Sequence, residues 1–209
     1  MEDTLLKFRW IKFGCVAGIL SLASYAAAAF VPLPDAVGYL AAFAFGPLLS
    51  IGFVGLYHFI SLQKNSPWLQ AGTLLAIAGG VTVLLMLCVQ QSIFATMDEV
   101  KEKNIVFSPE LKTGLNAVQL GLDVAWDVLI SGAMILVGIG MFGHSRFGKI
   151  FPIAGIILGT LLLSFNIYYF PVPPDESGSI DFGPFAALWF LVVFIIVAVS
   201  MKWVKEQQG

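Results

Sequence analysis

Asp123 and Asp127 stand four residues apart inside the apolar run LGLDVAWDVLI, a spacing that places both carboxyls on one face of a helix. An ionisable side chain at the centre of a membrane helix costs about 2.5–3.5 kcal/mol on insertion scales, so two of them must turn toward protein or water. At about 100° per residue, Lys112, Asn116, Gln119, Asp123, Asp127 and Ser131 share one stripe, while Val118, Leu122, Ala125 and Leu129 form the opposite face. Two carboxylates in a low dielectric, with no Lys or Arg expected at their depth, share protons and titrate as a pair. That is the chemistry of a proton or cation site.

Other polar residues fall at a similar depth. Asn166, Tyr168 and Tyr169 lie in the fifth apolar stretch and Gln90 and Gln91 in the third, with Asn166 near the level of Asp123. The candidate polar cavity is therefore Asp123, Asp127, Gln119, Asn116, Asn166 and Ser131, with Gln90, Gln91, His58 and Tyr168 as secondary candidates. The same stripe also reads as a hydrogen-bonded seam that only fixes packing, and the sequence leaves both readings open. The length of the stripe favours water access from outside, and the lack of a polar path on the inner half predicts a vestibule rather than an open pore.

Other chemistries find no residues to perform them. His58 is the only histidine within a crossing, and without a second His, Cys or Asp at ligand spacing it makes neither a metal site nor a haem site. There is no G-x-S-x-G elbow, H-E-x-x-H, Walker loop or dinucleotide fingerprint. An aspartyl intramembrane protease would want its carboxyls on two facing helices, and here both lie on one. The expectation is no enzyme, no cofactor and no metal. Cys15 and Cys88 sit in predicted helices near opposite membrane faces, too far apart to pair, and read as small packing residues.

The elements that must position the aspartates follow from composition. Of 209 residues, 58% are hydrophobic and 11% charged, against roughly 45–50% and 25% in soluble domains. A crossing takes about 20 apolar residues, and the apolar stretches fall at about 11–31, 36–62, 68–94, 114–142, 150–170 and 184–203. Asp35, Ser66-Pro67, Ser108-Pro109 and Asp181 to Pro184 supply helix-entry chemistry, and the fourth helix is read as 109–142. The prediction is a single all-α domain of six transmembrane helices. With a net charge of −2 and no Lys/Arg run, nucleic acid is excluded, and the lipid bilayer is the one certain partner.

Eight of the eleven Lys/Arg residues lie at the two termini and in the second-to-third and fourth-to-fifth connections. By the positive-inside rule both termini are cytoplasmic, which predicts an integral protein of a prokaryotic inner membrane. The first stretch has a basic entry and an Ala-rich end, but it exceeds a signal-peptide core in length and reads as a retained anchor.

Helices in lipid associate through close backbone approach or polar contacts. Small residues repeat every four positions at Gly14 and Gly18, at Gly38, Ala42, Gly46 and Ser50, at Gly72, Ala76 and Gly80, and at Gly155 and Gly159. These are contact faces, either within the chain or against a second copy or a partner membrane protein. Pro47 removes a backbone hydrogen bond from the second helix and predicts a bend. Val31 to Asp35 and Pro171 to Asp175 leave their helices in a similar Pro-rich way, a hint of related hairpins.

The segment FGKIFPIAGIILGTLLLSFNIYYF, the following FPVPPDESGSIDFGP and the motif DVAWD together resemble uncharacterised bacterial and archaeal multi-pass membrane proteins, over residues 123–190. The resemblance implies a six-helix membrane fold and no activity. Within it, Pro171, Pro173 and Pro174 end one helix and Gly183-Pro184 opens the next. Asp175, Glu176 and Asp181 read either as a solvated loop or as a cation-attracting rim above the vestibule. The leading expectation is a small transporter, channel-like or ligand-sensing protein that takes a small ion or small molecule. The other is a non-catalytic subunit assembled through its Gly/Ala faces.

Overall fold

The computed structural model describes residues 2–103 and 108–207, and every element among them is a helix. In chain order these are α1 (Glu2–Phe30), α2 (Asp35–Ser61), α3 (Pro67–Glu102), α4 (Pro109–Met141), α5 (Ile150–Tyr169), α6 (Gly183–Val199) and α7 (Met201–Glu206). The first five are each long and apolar enough to cross a membrane, and α6 is an apolar helix of 17 residues. Leu40, Leu74, Ile150, Ile157 and Val199 are among the large apolar side chains left on the outside of the bundle, as a lipid-facing surface requires.

Local signals account for the helix boundaries. The Ser66 and Ser108 hydroxyls accept from the amides of Leu69 (3.2 Å) and Leu111 (3.5 Å), and a proline fills the first helical position each time. Asp35 lies inside the first turn of α2 rather than capping it, where its charge suits the helix dipole. α3 runs to Glu102, past the expected end near residue 94. No Gly or Pro lies between Gly80 and Pro109 to stop it, and the Lys101–Asp98 and Lys103–Glu99 pairs support its last turns. Its 36 residues extend about 54 Å, so its end and the start of α4 project beyond a hydrocarbon core of about 30 Å. α1 likewise extends back to Glu2, before the expected start near residue 11. The last apolar stretch, read as one helix to residue 203, is instead divided at Ser200 into α6 and α7.

Successive helices pack side by side and α6 returns to α1 and touches α2, closing a ring. Several of the close approaches are glycine against glycine. A Cβ on Gly14 would lie 2.5 Å from the Gly55 Cα, one on Gly52 2.8 Å from the Gly18 Cα, and one on Gly46 2.1 Å from the Gly80 carbonyl oxygen. Gly155 receives the Trp189 ring, and Gly159 faces the Ser131 carbonyl. These small-residue stripes are spent inside the chain.

The end of the bundle carrying the α2–α3 and α4–α5 connections is locked. Gln63 donates to the Ser145 hydroxyl (2.8 Å) and accepts from the Ser145 amide (2.9 Å), tying the two connections together. Beside that pair the buried His144 ring packs on Phe59, Phe147 and Trp203, with the Arg146 guanidinium 5.2 Å from the Trp203 ring centre. Cys15 is buried and donates to the Phe194 carbonyl at 3.3 Å, and Cys88 is half-buried and also free.

Candidate functional site

The face of α4 that carries the aspartates turns into the bundle. Ser131 is fully buried, Asp127 is 9% exposed and Asp123 is half-buried, a gradient that rises toward the proline-rich connections. Asp123 and Asp127 border a cavity of about 430 Å³ to which all six long helices contribute, and Ser131 lies outside its lining. Two more carboxylates line it from the α5–α6 connection: Asp175, exposed at the mouth, and Asp181, half-buried. Asp181 is held in place by accepting from the Gly183 amide at 2.7 Å, where α6 begins. Among the described residues, no Lys, Arg or His lines the cavity. Whichever of these four acidic side chains are ionised set a negative potential inside low-dielectric walls, where field lines concentrate.

Much of the remaining lining is aromatic. Tyr25 of α1 lies 4.8 Å from Phe45 of α2, and Phe45 meets Trp126 of α4 edge-on at 5.8 Å between ring centres. This row of rings runs across three helices beside the carboxylates. A closed layer lies beyond Asp127 toward the locked end, where Leu49, Phe53, Ile130 and Met134 are at most 1% exposed. The cavity is a vestibule with a floor.

Asn166 of α5, fully buried, is the one amide that meets the pair. Its Nδ2 donates to Asp127 Oδ2 (2.9 Å) and to the Leu162 carbonyl (3.0 Å), which consumes both of its protons. Its Oδ1 and the buried Ser131 hydroxyl have no hydrogen-bond partner. Asn166 lines a separate, mostly apolar cavity of about 570 Å³ between α4 and α5, with Gly121, Val128 and Ile167, and meets the aspartate cavity only through its bond to Asp127.

The structure thus brings together Asp123, Asp127 and Asn166, with Ser131 one turn deeper than Asp127. Gln119 is half-buried and its amide reaches the Met86 sulfur at 3.6 Å, one shell away from the cavity. Asn116 and Lys112 are exposed on the projecting start of α4, so the stripe leaves the packed bundle there. Gln90 and Gln91 are half-buried on α3 and do not line the cavity. His58 is at the locked end, stacked on Trp10 at 6.1 Å, and Tyr168 is 79% exposed on the outer side of α5. Of the three acids of that loop, Asp175 and Asp181 line the cavity, while Glu176 is exposed and outside the lining. Sequence reasoning missed Tyr25, Phe45 and Trp126. Aromatics in apolar runs carry no mark of which face they present, and only the DVAWD motif, with Trp126 next to Asp127, offered a signal.

His144, outside the spanning segments, is the other unusual titratable group. Burial pulls its imidazole down to about 4 against an opposing hydrogen bond to the Phe59 backbone, with a lesser downward push from the Arg146 charge. Its Nδ1 accepts from the Arg146 amide at 3.3 Å, so it serves as a neutral packing ring. No family model, curated protein or solved structure matches this chain.

Proposed function

We propose that this is a small inner-membrane transporter or ligand-sensing protein, with six crossing helices and cytoplasmic termini, that binds a positively charged solute against Asp123 and Asp127. The observation that carries the reading is a bundle-centred cavity lined by four aspartates and, among the described residues, no cationic side chain. Ionised carboxylates in such a cavity favour a ligand that brings positive charge. The cavity volume, about 430 Å³, suits a small organic molecule as well as a hydrated ion. The closed floor speaks for an alternating or sensing device over an open channel. Assembly through Gly/Ala faces gains no support, because the closest of those faces are engaged within the chain.

The test is a panel of cations offered to the purified protein in lipid nanodiscs and in proteoliposomes: sodium, calcium, methylammonium and alkylammonium, with anions of matched size as controls. The reading expects at least one class of cation to raise the thermal midpoint or to be taken up saturably, and the Asp123→Asn/Asp127→Asn pair to abolish the effect. No cation effect, or an effect unchanged in the double variant, would contradict it. Uptake separates transport from sensing.

A further inference from the structure

We infer that the cation is amphiphilic, an organic ammonium with an apolar tail, and that it enters sideways from the lipid between α1 and α6. The inference rests on the cation reading above and narrows it through three observations.

The first is the shape of the α1–α6 pair. Toward the locked end the two helices touch: Cys15 donates to the Phe194 carbonyl, and a Cβ on Gly18 would lie 2.5 Å from the Phe194 ring. One and two turns farther along, Leu22 and Ala26 of α1 and Ala187 and Leu191 of α6 all line the cavity, which therefore reaches the seam between the two helices. Toward the proline-rich connections the cavity-lining Phe30 and Leu188 are 83% and 57% exposed. A space that has carboxylates inside and apolar residues at its lateral edge is continuous with the acyl-chain region.

The second is the wall chemistry. The Tyr25–Phe45–Trp126 row puts three rings in the same lining as the carboxylates, and rings with acidic neighbours are how proteins hold alkylated ammonium groups, whose charge is spread over carbon. A small hydrated metal ion gains little from such a wall.

The third is the spacing of the acids. Among the described residues no three His, Cys, Asp or Glu side chains converge closely enough to hold a metal ion. The four aspartates are distributed around the cavity, from the exposed Asp175 to the buried Asp127, which fits one diffuse charge better than tight chelation.

The experiment uses an alkyl-trimethylammonium probe carrying a photoreactive diazirine in its tail, with the full chain in phosphatidylglycerol nanodiscs and adducts mapped by mass spectrometry. The expected result is saturable labelling at Tyr25, Phe45, Trp126 or Leu188. Unlabelled alkyl-trimethylammonium should compete and an alkyl sulfate of equal length should not. Tetramethylammonium should compete at least about tenfold more weakly, since it lacks the tail that concentrates the probe in the bilayer. Leu188→Trp, which crowds that lateral edge, should cut labelling severalfold, while Ile157→Trp on the lipid face of α5 should leave it unchanged. Equal competition by tetramethylammonium, or full labelling of Leu188→Trp, would overturn the amphiphile and its lateral route while leaving the cation site standing. Absence of cavity adducts, or labelling unaffected by Asp123→Asn/Asp127→Asn, would also overturn it, and the cation panel then reports separately on the site itself.

Discussion

The two ends of this bundle are built on opposite rules. At the locked end, helices meet through glycine backbones, the connections are tied by Gln63 and Ser145, and the one buried imidazole is kept neutral among rings. At the proline-loop end, four carboxylates line a cavity that reaches the seam between α1 and α6. Close packing fixes the fold where no ligand is needed. Unfilled space is tolerated where a ligand is expected to occupy it, and helix contacts elsewhere offset its cost.

That contrast can be broken by substitution. The largest effect belongs to Gly46→Leu, whose Cβ would meet the Gly80 carbonyl oxygen at 2.1 Å. Backbone cannot yield as a side chain tip does, so the variant should lose about 3 kcal/mol or more, read as a collapse of the folded fraction in detergent. A change at the other end should behave differently: Asp127→Asn should keep the fold and lose the thermal stabilisation conferred by cations, measured on the same protein with and without alkylammonium. A variant that unfolds as Gly46→Leu does would erase the distinction between the two ends.

The locked end also predicts a pH dependence. The folded state holds His144 at about 4, below the ordinary 6.5, so the unfolded chain binds a proton first as pH falls. Stability is complete above about pH 6.5 and declines toward pH 4, by on the order of 2 kcal/mol. Unfolding midpoints measured across that range should show the decline, and His144→Phe should flatten it.

Gln63→Ala removes two exposed hydrogen bonds between connections and should cost about 1 kcal/mol or less, visible as a small fall in the thermal midpoint. The smallest effect is expected for Tyr168→Ala and Asn116→Ala, both on exposed positions. Cation binding should be unchanged in either, and a loss in either would place the site elsewhere than the cavity.

How far the sequence could be read follows the same division. Helix entry was legible because Ser66-Pro67 and Ser108-Pro109 are local signals, and the inward turn of Asp123 and Asp127 was legible because charge at depth has few tolerable orientations. The end of α3 was not, because hydrophobicity marks where lipid ends, while a helix stops only where Gly, Pro or a cap stops it. Asn166 was reachable from depth alone. Asn116, Gln90, Gln91 and Tyr168 were not separable from it on that basis, since depth says nothing about which way a side chain points. The aromatic row is a product of tertiary packing among α1, α2 and α4, which no spacing within one helix encodes.

The account turns on whether a cation rests in the aspartate cavity. Anomalous scattering from arsenic, in crystals grown from lipid with an alkyl-trimethylarsonium analogue, locates that charge directly. The account predicts a peak beside Asp123 and Asp127, within about 6 Å of the Trp126 or Phe45 ring, that vanishes in Asp123→Asn/Asp127→Asn. Arsenic found only outside the bundle, with both carboxyls bonded solely to protein, would contradict it.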